Sequence, residues 1–126
     1  MIVLDTHVWL WWLLGEGSLS DEERLMLNQH AERGEIAISM ASVWEVESLT
    51  HAGKIDLQPD LTSWLKQATQ PEVCSVLPIT QEIILKQQEL PPSFPNDPAD
   101  RLIVATALFH NSPIATKDHR LLELGF

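Results

Sequence analysis

The sequence predicts an α/β fold in which helices flank a short parallel sheet of four or five strands. Short apolar runs of strand length alternate with longer segments of helical pattern. These runs are apolar throughout, as expected for strands that are covered on both faces. The chain has 126 residues, of which 44% are hydrophobic. That size and composition predict a single domain, residues 1–126, with one hydrophobic core.

The strands are predicted from four apolar runs. The first run ends directly at Asp5, and the last is followed by Lys117 and Asp118. In a parallel sheet the carboxyl ends of the strands share one edge, where functional residues collect. The predicted strands cover residues 1–4, 36–38, 75–79 and 113–116.

The helices are predicted from their start and stop signals. The first is apolar almost all round, and Gly15 and Gly17 end it. Ser20 and Glu23 have the spacing of a capping box at the start of the second, which ends at Gly34. The first predicted helix begins at residue 7, and a short last helix begins at residue 118. The helices between them cover residues 21–34, 41–52, 59–65, 81–90 and 98–110.

Composition narrows the class of protein. The only cysteine is Cys74, which excludes an intrachain disulfide and a cysteine-rich zinc site. No apolar run approaches the roughly 20 residues of a membrane span, so we expect a cytoplasmic protein that does not enter a membrane. The net charge is −10. Alone, this charge argues against a nucleic-acid partner and favours metal cations or a basic protein, although acidic surfaces often serve only solubility.

Several acids are predicted to lie near the carboxyl edge of the sheet. Asp5 and Asp118 follow strands, and Glu45 lies in the first half of the helix after the second strand. Asp97 and Asp100 begin the apolar helix of residues 98–110. They reach the same edge only if the loop containing Pro91, Pro92 and Pro95 folds over the sheet.

Each acid also has a purely structural interpretation. Asp5, Asp97 and Asp118 can cap the helices that follow them. Asp100 falls at the third helical position, where the helix dipole favours a carboxylate. Glu45 follows Ser42 with capping-box spacing, although Ser39 is an alternative cap that would place Glu45 in the second turn. For Asp5 taken alone, the two interpretations are equally good.

These interpretations do not explain why so many caps share one edge. Neighbouring carboxylates raise each other's pKa and destabilise a fold unless a cation neutralises them. Oxygen ligands without thiolates suit Mg²⁺ or Mn²⁺. Such ions position phosphate oxygens and activate water, so the chemistry this site favours is phosphodiester hydrolysis.

Four motifs occur along nearly the whole chain: LDTHVWLWW, ISMASVWEVESL with GK after it, NDPADRLIVATAL and IATKDHRL. In this order and at these separations, they resemble the motifs of the PIN-domain ribonucleases, especially the VapC-like toxins of toxin–antitoxin pairs. The resemblance implies a PIN-like, Rossmann-like sandwich. His119 stands where close relatives usually have proline, and we expect it to be a surface residue.

The resemblance implies an acidic quartet that binds Mg²⁺ or Mn²⁺ and cleaves RNA. Position by position, the catalytic quartet falls on Asp5, Glu45, Asp100 and Asp118. Asp5, Asp100 and Asp118 would hold the metal, and Glu45 would ligate a second ion or orient the attacking water. Asp97 would then either begin its helix or hold the metal-binding carboxylates in place without contacting the metal. The hydroxyls of Thr6 and Thr116 would orient the carboxylates.

The resemblance further implies an RNA substrate and a VapB-like antitoxin whose basic segment enters the acidic groove. Arg101, Lys117 and Arg120 would help to hold the RNA. The helix with Trp9, Trp11 and Trp12 is apolar enough to serve partly as a homodimer face.

Two other functions remain open at this point. A PIN fold without catalytic activity could act only as a binding module for a protein partner, although the intact quartet argues against this. A haloacid-dehalogenase-type phosphatase would need a second aspartate two residues after Asp5, where this chain has His7.

Overall fold

The computed structural model describes residues 1–123 and has the predicted α/β architecture. Four parallel strands form one sheet in the order β3-β2-β1-β4. The strands are β1 (Ile2–Leu4), β2 (Ile36–Ser39), β3 (Ser75–Leu77) and β4 (Ile114–Ala115). The prediction of a short parallel sheet is therefore confirmed.

The central strand β1 brings distant parts of the chain together. On one side Ile2 pairs with Ile36, and on the other Leu4 pairs with Ala115. All four carboxyl ends point to one edge because every pairing is parallel. The ends of β1 and β4 therefore lie next to each other despite their distance in sequence.

Helices cover both faces of the sheet, with bounds close to those predicted. Ser20 and Glu23 form the predicted capping box at the start of α2. The helices are α1 (Thr6–Leu14), α2 (Asp21–Glu32), α3 (Met40–His51), α4 (Leu61–Ala68), α5 (Gln81–Lys86), α6 (Pro98–Phe109) and α7 (His119–Glu123).

Two predicted elements are shorter than the sequence suggested. The strand predicted for residues 75–79 ends at Leu77, because Pro78 cannot donate a hydrogen bond to the ladder. The helix predicted for residues 81–90 is α only to Lys86 and continues as a 3₁₀ turn over Gln87–Glu89. Neither difference moves a predicted site residue.

The hydrophobic core has a layer on each side of the sheet. Leu4, Ile38 and Trp9 are fully buried on one side, whereas Val3 and Ile103 are buried on the other. This alternation of Val3 and Leu4 explains why the first strand is apolar at every position. No helix among the described residues is long and apolar enough to cross a membrane.

The tryptophan-rich helix α1 is largely occupied by packing within the chain. The indole of Trp9 meets that of Trp64 edge-on, with ring centroids 5.4 Å apart. The indole N–H of Trp12 donates to Asn28 at 2.8 Å. Trp11 packs so closely on Gly17 that a side chain at that position would clash with it.

Candidate acidic site

Asp5 is both a helix cap and part of the acidic edge. Its Oδ1 accepts a hydrogen bond from the backbone N–H of Thr6 at 2.8 Å, which caps α1. Its Oδ2 accepts from the Thr116 hydroxyl, also at 2.8 Å. The side chain is therefore held from two sides, by the start of α1 and by the segment that follows β4. The two interpretations of Asp5 are compatible rather than exclusive.

Glu45 has no structural role at the start of its helix. Ser39 caps α3 by accepting from the N–H of Ala41, so the alternative cap is the one observed. Glu45 consequently lies in the second turn, and its Oε1 is buried without a hydrogen-bond partner among the described residues. An unpaired buried carboxylate oxygen is costly, so a cation or a proton donor is expected there.

The start of α6 contributes two further acids. Asp97 caps this helix by accepting from the N–H of Asp100 at 3.1 Å. Asp100 is buried, although one of its oxygens is 3.2 Å from Nη2 of Arg120. The start of α6 reaches the sheet edge, because Asp97 and Asp100 line the same pocket as Asp5. The proline-containing loop before α6 therefore leads the chain to that edge.

Asp118 lies at the exposed rim of the site. Arg120 donates from both Nε and Nη2 to its two oxygens, at 3.1 and 2.7 Å. The N–H of Asp118 donates to the Thr116 hydroxyl at 3.0 Å, and that hydroxyl donates to Asp5. Thr116 therefore couples the acids that follow β1 and β4. His119 is exposed, as expected.

All four acids of the predicted quartet line one pocket of about 340 Å³. Asp97 lines it as well, together with His7 and Trp11 from α1. The sequence reasoning did not select these two residues, although the DTHVWLWW motif contains them. The complete lining is Asp5, His7, Trp11, Glu45, Asp97, Asp100, Lys117, Asp118 and Arg120.

The tightest group of oxygens differs from the predicted ligand set. Among the described residues, Glu45, Asp97 and Asp100 each offer an oxygen within 4.8 Å of the others. Asp5 and Asp118 line the same pocket but are not part of this group. Asp100 belongs to both sets and lies at the centre of the site. Asp97 belongs to this close group, and its role at the start of α6 does not by itself explain that position.

The buried acids have raised pKa values. Burial raises the pKa of Asp100 to about 7, and the charges of Asp97 and Asp5 add to the effect. Burial likewise raises the pKa of Asp5 and of Glu45. These carboxylates lack sufficient positive charge within the chain.

The acid at the rim shows the opposite shift. The hydrogen bonds and charge of Arg120 hold the pKa of Asp118 below its ordinary value. Outside the pocket, Lys117 pairs with Glu23 at 2.7 Å and is the main cause that lowers the pKa of Glu23 to about 2. Asp118 and Glu23 are thus already balanced by cations of the chain.

The supporting residues differ in how they contact the acids. The hydroxyl of Thr116 orients Asp5, as predicted. The hydroxyl of Thr6 donates to Ser42 at 3.0 Å, and its interaction with Glu45 partly offsets the rise in the pKa of that acid. Thr6 instead contacts Asp5 through its backbone N–H, because it is the first residue of α1. Arg101, predicted to help hold RNA, points away from the pocket: it donates to Gln87 and stacks over Phe94.

Comparison with known proteins gives consistent results. The PIN domain family model matches residues 2–126. The chain is 38% identical over 120 residues to Ribonuclease VapC22 of Mycobacterium tuberculosis, covering 95% of this chain and 88% of that protein. Its fold is similar to that in the crystal structure of VapBC2 from Rickettsia felis bound to a DNA fragment from their promoter. That similarity has a TM-score of 0.73 at 18% identity and covers 99% of this chain and 94% of the other.

Proposed function

Because the chain belongs to the PIN-domain family, we propose that it is a divalent-metal-dependent endoribonuclease, the toxin of a VapBC-like pair. The observation that carries this proposal is the buried, undercompensated carboxylate cluster around Asp100 at the sheet edge. The 38% identity to a ribonuclease over most of both chains supports the same activity.

The chemistry of the donor set fits a hard divalent cation. The cluster offers only carboxylate oxygens, and Oε1 of Glu45 is buried without a partner. We propose Asp5, Asp100 and Asp118 as the residues that hold Mg²⁺ or Mn²⁺, with Asp97 and Glu45 within reach of the same position. When bound, the ion would neutralise the carboxylates, polarise the scissile phosphate and make water a better nucleophile.

The residues of the chain supply orientation and proton transfer. Thr116 fixes the carboxylate of Asp5, so that little ordering remains to be done when substrate binds. Glu45 has a raised pKa and a free buried oxygen, which suits a base that orients water and accepts its proton. Arg120 and Lys117 line the pocket and would contact backbone phosphates.

The acidic composition suits a basic protein partner. With a net charge of −10, the chain would attract a VapB-like antitoxin that places a basic segment at the acidic pocket. The fold neighbour is a VapBC2 complex, so such a pairing is compatible with this fold. We further propose that the protein acts in the cytoplasm as a homodimer. RNA would be held mainly through the metal, with weak non-specific affinity.

The direct test is cleavage of total RNA with and without Mg²⁺ or Mn²⁺. Wild type should cleave only with the ion, and Asp5→Asn should not cleave. Equal cleavage by both proteins would refute the proposed site. Tight binding to an antitoxin, with no metal-dependent cleavage under any condition, would instead identify an inactive binding module.

A further inference from the structure

A second cavity, of about 410 Å³, lies directly beside the acidic pocket. It runs along α3 and faces the start of α6. Glu45 and Asp97 line both cavities, so the two form one continuous surface. The second cavity is lined by Trp44, Glu45, Ser48, Leu49, Ala52, Lys54, Asp97, Pro98 and Ala99.

The aromatic side chain of this cavity is unusually exposed. Trp44 is 50% exposed, whereas the other four tryptophans are buried or partly buried. It lines the same cavity as Glu45 and Asp97, so it lies close to the acidic cluster. Exposing this much indole costs free energy that burial inside the chain would avoid. Met40, one turn earlier on the same helix, is also exposed and extends the apolar surface.

A positive charge lies at the far end of the same cavity. Lys54 follows the end of α3, where its N–H donates to the carbonyl of Leu49 and Gly53 adopts a positive φ. Among residues 1–121, whose side chains the structure describes, the Lys54 ammonium has no ion-pair partner. From Trp44 to Ala52 the helix rises about 12 Å. The cavity therefore combines carboxylates and an aromatic side chain near one end with a cation near the other.

We propose that this cavity, the Trp44 groove, binds the single-stranded RNA next to the scissile phosphate. A nucleobase stacks on Trp44, and a phosphate further along the strand contacts Lys54. The inference rests on the proposed function, because it assumes that the scissile phosphate lies at the acidic cluster. A polymer cut there has to continue over an adjoining surface, and this one combines an exposed aromatic ring with a cation, as single-strand binding sites do.

Stacking predicts a graded series of variants. With a short single-stranded RNA that wild type cleaves, Trp44→Phe should keep KM near the wild-type value, because phenylalanine also stacks. Trp44→Ala should raise KM about tenfold or more, as expected for loss of one base–aromatic contact. Phe109→Ala is the matched control, since this exposed aromatic residue ends α6, far from Asp100 at its start. It should leave KM and kcat unchanged.

Binding without cleavage provides an independent measurement. In EDTA, with the RNA confirmed intact on a gel, the oligonucleotide should quench the tryptophan fluorescence of wild type. Polyphosphate of equal charge should not, because it has no bases. Most of the quench should be lost in Trp44→Phe even though that variant still cleaves, and any remainder belongs to Trp11 in the acidic pocket. Lys54→Gln should raise the oligonucleotide concentration needed for half of the quench.

The outcomes separate this inference from the proposed function. If wild type shows no metal-dependent cleavage, both the proposed function and this inference are refuted. If wild type cleaves but Trp44→Ala has an unchanged KM and an unchanged quench, the groove does not bind RNA. If Trp44→Ala weakens only the binding of an antitoxin, the occupant is a protein and the RNA assignment is overturned.

Discussion

The acidic pocket has an inner wall, formed by Glu45 and Asp100, and an outer rim with Asp118. The negative charges of these two regions are compensated differently. At the rim, Arg120 is paired with Asp118, and Lys117 is paired with Glu23 just outside the pocket. At the inner wall, Glu45 and Asp100 are surrounded mostly by other acids, and their pKa values are raised although Arg120 also reaches one oxygen of Asp100. The charge of Asp118 is balanced within the chain, whereas that of the inner wall is balanced only in part. This difference predicts that a bound cation would stabilise the inner wall most.

The largest expected effect is loss of activity in Asp100→Asn. Asp100 is shared by the two possible ligand sets, so its removal should lower cleavage by more than the roughly 10–100-fold that loss of a supporting residue costs. Without metal, the variant should also melt at a higher temperature than wild type, because a poorly compensated buried charge is gone. The exposed Asp56→Asn is the control and should change neither property. A variant that loses stability and keeps activity would contradict the comparison.

A smaller effect is expected when the support for Asp5 is removed. Thr116→Val deletes the hydroxyl that donates to Asp5 and accepts from the N–H of Asp118, with little change in shape. We expect the Mg²⁺ concentration for half-maximal cleavage to rise about 10–100-fold. Thr116→Ser keeps the hydroxyl and should behave almost as wild type. Equal behaviour of the two variants would show that orientation of Asp5 is unimportant.

The inner wall also predicts a pH dependence of stability. The pKa of Asp100 rises from 3.8 to about 7 on folding, so the folded state binds its proton more tightly than the unfolded chain. The free energy of unfolding should therefore fall as pH rises from about 4 to about 7. Thermal unfolding in EDTA across this range measures the effect.

Two additions to that experiment identify its origin. Mg²⁺ at pH 8 should restore the lost stability in wild type, because it binds only the folded site. Asp100→Asn should show a weaker pH dependence and a smaller rise with Mg²⁺. A wild-type melting temperature that does not change when Mg²⁺ is added would argue against a shared metal site.

The smallest expected effect on stability belongs to the rim. Arg120 is largely exposed, so Arg120→Gln should leave the melting temperature close to that of wild type. The same change frees Asp118 and one oxygen of Asp100 and should lower the Mg²⁺ concentration needed for half saturation, measured by calorimetric titration. A large loss of stability would mean that the rim is a structural element rather than an exchangeable ion pair.

The sequence predicted the fold and brought its four acids to one place, which the structure shows as a common pocket. Apolar runs ending in acids placed Asp5 and Asp118 at one edge. Two caps stayed open for α3, and the structure shows that Ser39 is the one used. The close approach of Asp97 to Glu45 was not predictable, because it depends on how the loop before α6 packs. His7 and Trp11 were missed because a helix position next to a strand end is no signal by itself.

The hydrogen bond between Thr116 and Asp5 joins residues 111 positions apart in the chain. During synthesis the ribosome therefore completes β1 long before it makes β4, the second strand that pairs with β1, and the hydroxyl that fixes Asp5. Until then the nascent chain lacks β4, Asp118 and the rim of the pocket. A ribonuclease assembled in this order would remain harmless to the RNA around it, including the message being translated, until nearly all of its domain had been made.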